Sequence, residues 1–216
     1  VQSLAPAGCL RVSEPLGVLW KRYCKLVSPY LVALLVALLS AAIGRALMAH
    51  DSLPAPPSVS QVLAHVFLLQ SIFGHEGLSA GVWYIAIDFQ LFVLLLGLLW
   101  LARQVTAGAA REAVVAACLV AALALASLVH FNRDGDWDSW GVYFFGSYAL
   151  GVASYWATND RPRRAACWLA PVVAVVMLTL LLEYRPRIAV ALVVALALAL
   201  ARLFGVLERW PKSRLI

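Results

Sequence analysis

The chain has 216 residues, 63% of them hydrophobic and only 13% charged, with a mean hydropathy of +0.87. A soluble domain carries about 25% charged and about 45–50% apolar residues, so a water-soluble globule is excluded, as are disordered, collagenous and disulfide-scaffold chains. The net charge of +6, from 17 Lys+Arg against 11 Asp+Glu, falls in the gaps between apolar runs, where it reads as membrane topology and not as a nucleic-acid surface.

The bilayer is therefore the expected solvent. The expected fold class is all-α, a polytopic bundle of transmembrane helices forming one membrane domain over residues 1–216. Residues 1–28 are mixed, with Arg11, Lys21, Arg22 and Lys25 around a short amphipathic stretch from Leu16 to Leu26. Apolar runs follow at about Pro29–Met48, Val59–Phe73, Ala80–Ala102, Ala113–Val129, Trp140–Ala157, Ala165–Leu182 and Ile188–Leu207. Most are apolar all round, which marks spanning and not surface helices. The run from Val59 is the shortest and carries Gln61, His65 and Gln70.

That short run decides the topology. If it does not cross, one side holds Arg11, Lys21, Arg22, Lys25, Arg103, Arg111, Arg161, Arg163, Arg164, Arg202, Arg209, Lys212 and Arg214, against only Arg45, Arg133, Arg185 and Arg187 on the other. If it crosses, the bias disappears. The positive-inside rule selects the first arrangement. The expectation is about six full spans plus one short re-entrant or interfacial helix, with both chain ends cytoplasmic. The Asp51–Pro57 linker and the Asn132–Asp138 loop then lie outside. The start at Val1 and the stop at Ile216, straight after a basic cluster, suggest a piece of a longer protein.

The strongest chemical signal is Val82-Trp83-Tyr84-Ile85-Ala86-Ile87-Asp88-Phe89-Gln90-Leu91-Phe92. Asp88 lies about 12 Å below the outer end of its run at about 1.5 Å per residue. A carboxylate there needs a partner or a wet cavity, and intramembrane acids are functional by default. The bland alternative is packing glue, with Asp88 bonded to Tyr84 or to another helix. Trp83 and Gln90 share one helix face, Tyr84 and Asp88 another, so protein must surround this helix. His65 in an apolar helix is more often a hydrogen-bonded core residue than a catalytic one, and His75-Glu76 reads as a solvated pair. The cluster Lys21-Arg22-Tyr23-Cys24-Lys25 sits at the cytoplasmic mouth of the first run, as a topogenic anchor or as a cradle for a phosphorylated donor. Gly146, Ser147, Ala149, Gly151, Ala153 and Ser154 read as a close-packing face. Cys9, Cys24, Cys118 and Cys167 show neither metal-ligand spacing nor an expected disulfide, and no metal site is expected.

These pieces resemble the integral-membrane O-acyltransferase family often called acyltransferase 3. Arg22-x-x-Lys25 before Ser28-Pro29-Tyr30 resembles its R-x-x-R…P segment. Leu68-Leu69-Gln70 is similar to its "LLQ". Trp83, Asp88, Gln90 and Phe92 fall in register with its W-S-L-x-x-E-x-Q-F-Y, with Tyr84 in place of Ser, Asp for Glu and Phe for Tyr. Phe144-Phe145-Gly146 through Gly151 is similar to its "F-x-x-G" helix. The resemblance covers about residues 15–160. It implies a bundle of about ten helices in a bacterial inner membrane. The implied activity moves an acyl group, commonly acetyl from acetyl-CoA or another cytoplasmic donor, onto a hydroxyl of a glycan or lipid-linked sugar. No cofactor is bound in such a scheme. The family's basic-x-His segment on its first helix has no match in this sequence. On this reading Asp88 is the catalytic candidate, and Arg22, Lys25, Gln70, Trp83, Tyr84 and Gln90 form the substrate-binding set. The alternatives are a transporter or channel bundle, or a non-catalytic membrane scaffold.

Overall fold

A computed structural model describes residues 4–6, 8–48, 55–79, 81–159 and 162–206, with the side chains of 162–168 outside the description. The described residues form seven α-helices and no strand: α1 (Pro15–Leu47), α2 (Val59–Val66), α3 (Val82–Val105), α4 (Ala109–Val129), α5 (Gly141–Asn159), α6 (Pro162–Leu182) and α7 (Pro186–Leu203). Short 3-10 turns at Phe131–Arg133 and Gly135–Trp137 join α4 to α5. The fold is all-helical. The side chains of Arg161, Arg163, Arg164 and Cys167, the segment from Arg209 to Arg214, and the start of the Asp51–Pro57 linker lie outside the described residues.

Four helical segments among the described residues are long and apolar enough to cross a membrane: Pro15–Leu47, Val82–Val105, Ala109–Arg133 and Pro186–Leu203. This is fewer than the six read from the sequence. α5 is long enough, but Tyr143, Ser147, Tyr148, Ser154, Tyr155, Thr158 and Asn159 dilute its hydropathy. α6 counts only as the shorter apolar stretch Leu169–Leu182. α2, at eight residues, rises only about 12 Å, well short of a ~30 Å hydrocarbon core.

The chain divides into two compact units, one of Val12–Leu96 with Asp136–Gly141, the other of Val1–Arg11, Gly97–Gly135 and Val142–Ile216. In the first, the amphipathic stretch and the first apolar run fuse into one 33-residue helix, α1, which overturns the expected start at Pro29. Glu14 and Pro15 start it, an acid beside the helix N-terminus and a proline where no N–H is missed. Pro29 sits inside it and leaves the Lys25 carbonyl without its usual donor, while Ser28 Oγ donates to the Cys24 carbonyl one position earlier.

α2 leads into a tight reversal. Its C-terminus closes with Leu69 N–H donating to the Ala64 carbonyl (2.8 Å) and Leu68 N–H to the His65 carbonyl (3.1 Å). That is the Schellman pattern, in which glycine normally takes the left-handed position. Here Leu68 takes it, at φ +59°, with its side chain only 1% exposed. Leu68 joins Val27, Tyr30, Leu34, Val82 and Ala86 in one apolar cluster. That burial offsets the strain, which is about 1–2 kcal/mol for a non-glycine residue. The returning segment is tied back to α2: Gln61 Nε2 donates to the Glu76 carbonyl (3.0 Å), and Leu78 N–H donates to His65 Nε2 (3.1 Å). Residues 59–79 thus form a hairpin with one helical leg.

The second unit packs α4, α5, α6 and α7 around Leu128, Leu150, Val176, Ile188, Leu192 and Ala195. Small residues let α4 and α5 approach: an ideal Cβ on Gly146 would lie 2.7 Å from Leu128 Cγ. Ser127 Oγ locks the contact, accepting from Gly146 N–H and donating to the Tyr143 carbonyl. At one end, Arg185 donates to Asn132 Oδ1 and the Leu128 carbonyl, and Arg133 pairs with Glu183 at 2.7 Å. At the other, Arg202 donates to Asn159 Oδ1 and lies over the Tyr155 ring. The N-terminal segment gathers at that second end, through Asn159 on the Pro6 carbonyl, Trp156 on the Ala5 carbonyl and Leu10 N–H on Glu112.

Candidate functional site

α1 and α3 carry the two basic and acidic motifs, and their packing joins them. Arg22 Nη2 donates to Asp88 Oδ2 at 2.6 Å, and the guanidinium carbon lies 5.4 Å from the Phe92 ring centroid. Asp88 and Phe92 are four apart, on one helix face, so a single arginine meets both. Arg22 Nε is buried and unpartnered among the described residues. The pair is half-buried, at 37% and 27% side-chain exposure. The partner of Asp88 is therefore Arg22, not Tyr84.

Tyr23 flanks the pair. Its ring stacks on Trp20 at 5.5 Å and meets Phe89 edge-on at 5.7 Å, and its hydroxyl donates to the Val66 carbonyl at 2.8 Å. With Arg22 and Tyr23 opposite Asp88 and Phe89, and Tyr30 and Leu34 beside Val82, the two helices run antiparallel. From Arg22, α1 rises about 37 Å to Leu47, but α3 begins only about 9 Å from Asp88. The far half of α1 packs instead on the hairpin, with Leu34 and Leu38 joining Leu68 and Leu78. This corrects one placement read from charge. Arg22, read at the mouth of the first run, and Asp88, read about 12 Å below the outer end of its own, face each other directly, because the offset of α1 against α3 and ionic attraction bring them together.

The other expected site residues divide. Gln70 is 1% exposed; its Nε2 donates to the Val82 carbonyl at 3.3 Å, and its Oε1 is buried without a partner among the described residues. Gln90 is committed to structure: Oε1 accepts from Gly141 N–H at 2.7 Å and Nε2 reaches the Ser139 carbonyl at 3.4 Å. Gly141 is required there, since an ideal Cβ would lie 2.9 Å from Gln90 Cβ. Trp83 and Tyr84 are exposed at 50% and 63%, with their rings edge-on at 6.1 Å. Lys25 is exposed and lines a groove of about 380 Å³ between α1 and the start of α3.

His65 is fully buried, and its two nitrogens are both used. Nδ1–H donates to the Gln61 carbonyl at 2.8 Å, and Nε2 accepts from Leu78 N–H. These partners demand the neutral ring. Burial pushes the imidazole below its ordinary value; the Gln61 bond opposes this and His75 adds to it. His65 is thus a strut of the hairpin. Sequence reading named Tyr23 within the basic cluster and Tyr30 within Ser28-Pro29-Tyr30 but gave neither a role of its own. It missed the backbone of Leu68, for which the sequence carries no signal. No metal-holding group of three His, Cys, Asp or Glu occurs among the described residues.

No known protein family, curated protein or solved structure matches this chain.

Proposed function

We propose that this chain is the core of a membrane-bound O-acyltransferase of the acyltransferase 3 kind. It would transfer an acyl group, with acetyl from acetyl-CoA as the first candidate, to a hydroxyl of a glycan or lipid-linked sugar. The observation that supports this most is the 2.6 Å contact between Arg22 and Asp88. It joins the two segments that carry the resemblance. In this reading Asp88 holds the Arg22 guanidinium, and Arg22 with Lys25 supplies positive charge for the donor's phosphates. A base takes the proton of the sugar hydroxyl as its oxygen attacks the acyl carbonyl, and the donor thiolate leaves. Developing negative charge on the carbonyl oxygen is met by fixed donors.

The accompanying topology has six spans in a bacterial inner membrane with cytoplasmic ends, α5 and α6 included. The hairpin of residues 59–79 enters from outside and turns back, and α3 starts beneath it. Irregular backbone at that depth is tolerated where protein surrounds it.

The test is transfer of labelled acetyl from acetyl-CoA in membranes that express the chain. Asp88→Asn should leave abundance unchanged and remove most transfer. Arg22→Ala with Lys25→Ala should weaken donor use more than abundance. Full transfer by Asp88→Asn would sink the assignment. The hairpin favours a second reading, a transporter, since these use broken helices at a central site. Solute uptake by proteoliposomes, lost in Asp88→Asn, would select it.

A further inference from the structure

The groove between α1 and the start of α3 has a composition that the ion pair does not account for. It is lined by Leu26, Pro29, Ala33, Leu34, Val82 and Ile85 along its length. Its charge comes from a single side chain, Lys25, which is exposed and makes no ion pair among the described residues. Arg22, one turn away, is already held by Asp88. Tyr30, only 3% exposed, also lines the groove, and its hydroxyl is buried without a hydrogen-bond partner among the described residues. At about 380 Å³ the groove falls in the ~300–1,000 Å³ range of small-ligand sites. Val32, Leu35 and Val36 beside it are exposed, so its rim continues into an aliphatic surface.

We infer that this groove is a site for an anionic phospholipid of the surrounding bilayer, with one acyl chain along Ala33, Leu34 and Ile85 and the phosphate on the Lys25 ammonium. The apolar walls match a hydrocarbon chain. The lone cation matches a single phosphate. The aliphatic rim gives lateral entry from the membrane. The site does not depend on acyl transfer. Where acyl transfer holds, lipid phosphate and donor phosphate meet the same ammonium, and each lowers the loading of the other.

The experiment is native mass spectrometry of the full chain in detergent, titrated with phosphatidylglycerol and, separately, phosphatidylcholine. Phosphatidylglycerol should be retained as one molecule in preference to phosphatidylcholine. Lys25→Gln should weaken its retention about fivefold, the effect of one lysine on an anionic lipid. Lys21→Gln, which removes the same charge outside the groove lining, should have little effect. Ala33→Leu fills the groove from an exposed position and should abolish retention of both lipids. Circular dichroism of each variant confirms folding. Equal weakening by Lys21→Gln and Lys25→Gln, or unchanged retention in Ala33→Leu, would overturn the site in favour of diffuse surface charge. Dodecanoyl-CoA displacing the lipid at equal concentration would instead identify a soluble donor as the occupant and overturn the lipid assignment.

Discussion

A half-buried ion pair between packed helices has a modest net energy, because desolvation cancels much of the attraction. For Arg22 and Asp88 a double-mutant cycle with Arg22→Met and Asp88→Asn should give a coupling of about 1 kcal/mol, read from thermal unfolding in detergent. A coupling near zero would mean that the contact carries no stability. His65 behaves differently, since its native value lies below the unfolded one of 6.5. The unfolded chain then binds the proton more readily, so stability is full above about pH 6.5 and falls as pH drops through the native value. The hairpin amides, Leu78 foremost, should exchange faster at pH 5 than the intrinsic acid dependence explains. His65→Gln should flatten that dependence.

At the scale of elements, the reversal after α2 and the contact of α4 with α5 each rest on one unusual residue. Leu68→Gly would relieve the left-handed strain but remove a buried side chain worth about 1.5–3 kcal/mol. The net change should be a loss of about 1 kcal/mol, smaller than the ~2–5 kcal/mol expected for Leu95→Ala, a buried leucine in an ordinary helix. Equal losses at the two positions would mean that Leu68 is not strained. Gly146→Val drives a side chain into Leu128, whose atoms already lie 2.7–2.8 Å from an ideal Cβ. It should cost about 1–3 kcal/mol or more, as overpacking does, and lower the yield of folded protein. Gly151→Ala, with open space around it in the middle of α5, should cost nothing and add up to about 0.5–1 kcal/mol through helix propensity.

For the whole molecule the prediction concerns sides. In a background with Cys9, Cys24, Cys118 and Cys167 replaced by serine, Glu76→Cys should be labelled from outside and Arg103→Cys from inside by a membrane-impermeant maleimide. Arg133→Cys should follow Glu76, and Arg202→Cys should follow Arg103. Labelling of Glu76→Cys from the cytoplasm would mean that residues 59–79 cross the bilayer. The arginines at the two ends of the second unit fit this division, since Arg133 and Arg185 cluster together and Arg202 lies with the N-terminal segment.

Composition alone determined the solvent and the fold class. A chain this apolar satisfies its backbone in a bilayer only by helices or a closed barrel, and its uniformly apolar runs have no strand alternation. The helices α3, α4 and α7 were legible for the same reason, because hydropathy is a local property. So was the shortness of the run that became α2, and so was the need of Asp88, a lone acid in an apolar run, for a partner. What only the tertiary structure decided is non-local. The union of the amphipathic stretch with the first run came from packing along one helix, despite Pro29. The partner of Asp88 came from the offset of α1 against α3, which no spacing in the sequence encodes. The assignment of Gln90 to the turn before α5, and of His65 to the hairpin, followed from which backbone groups lay unpaired nearby. A polar side chain buried in an apolar fold takes whatever partner the packing brings within about 3 Å, and packing is settled by the whole chain at once.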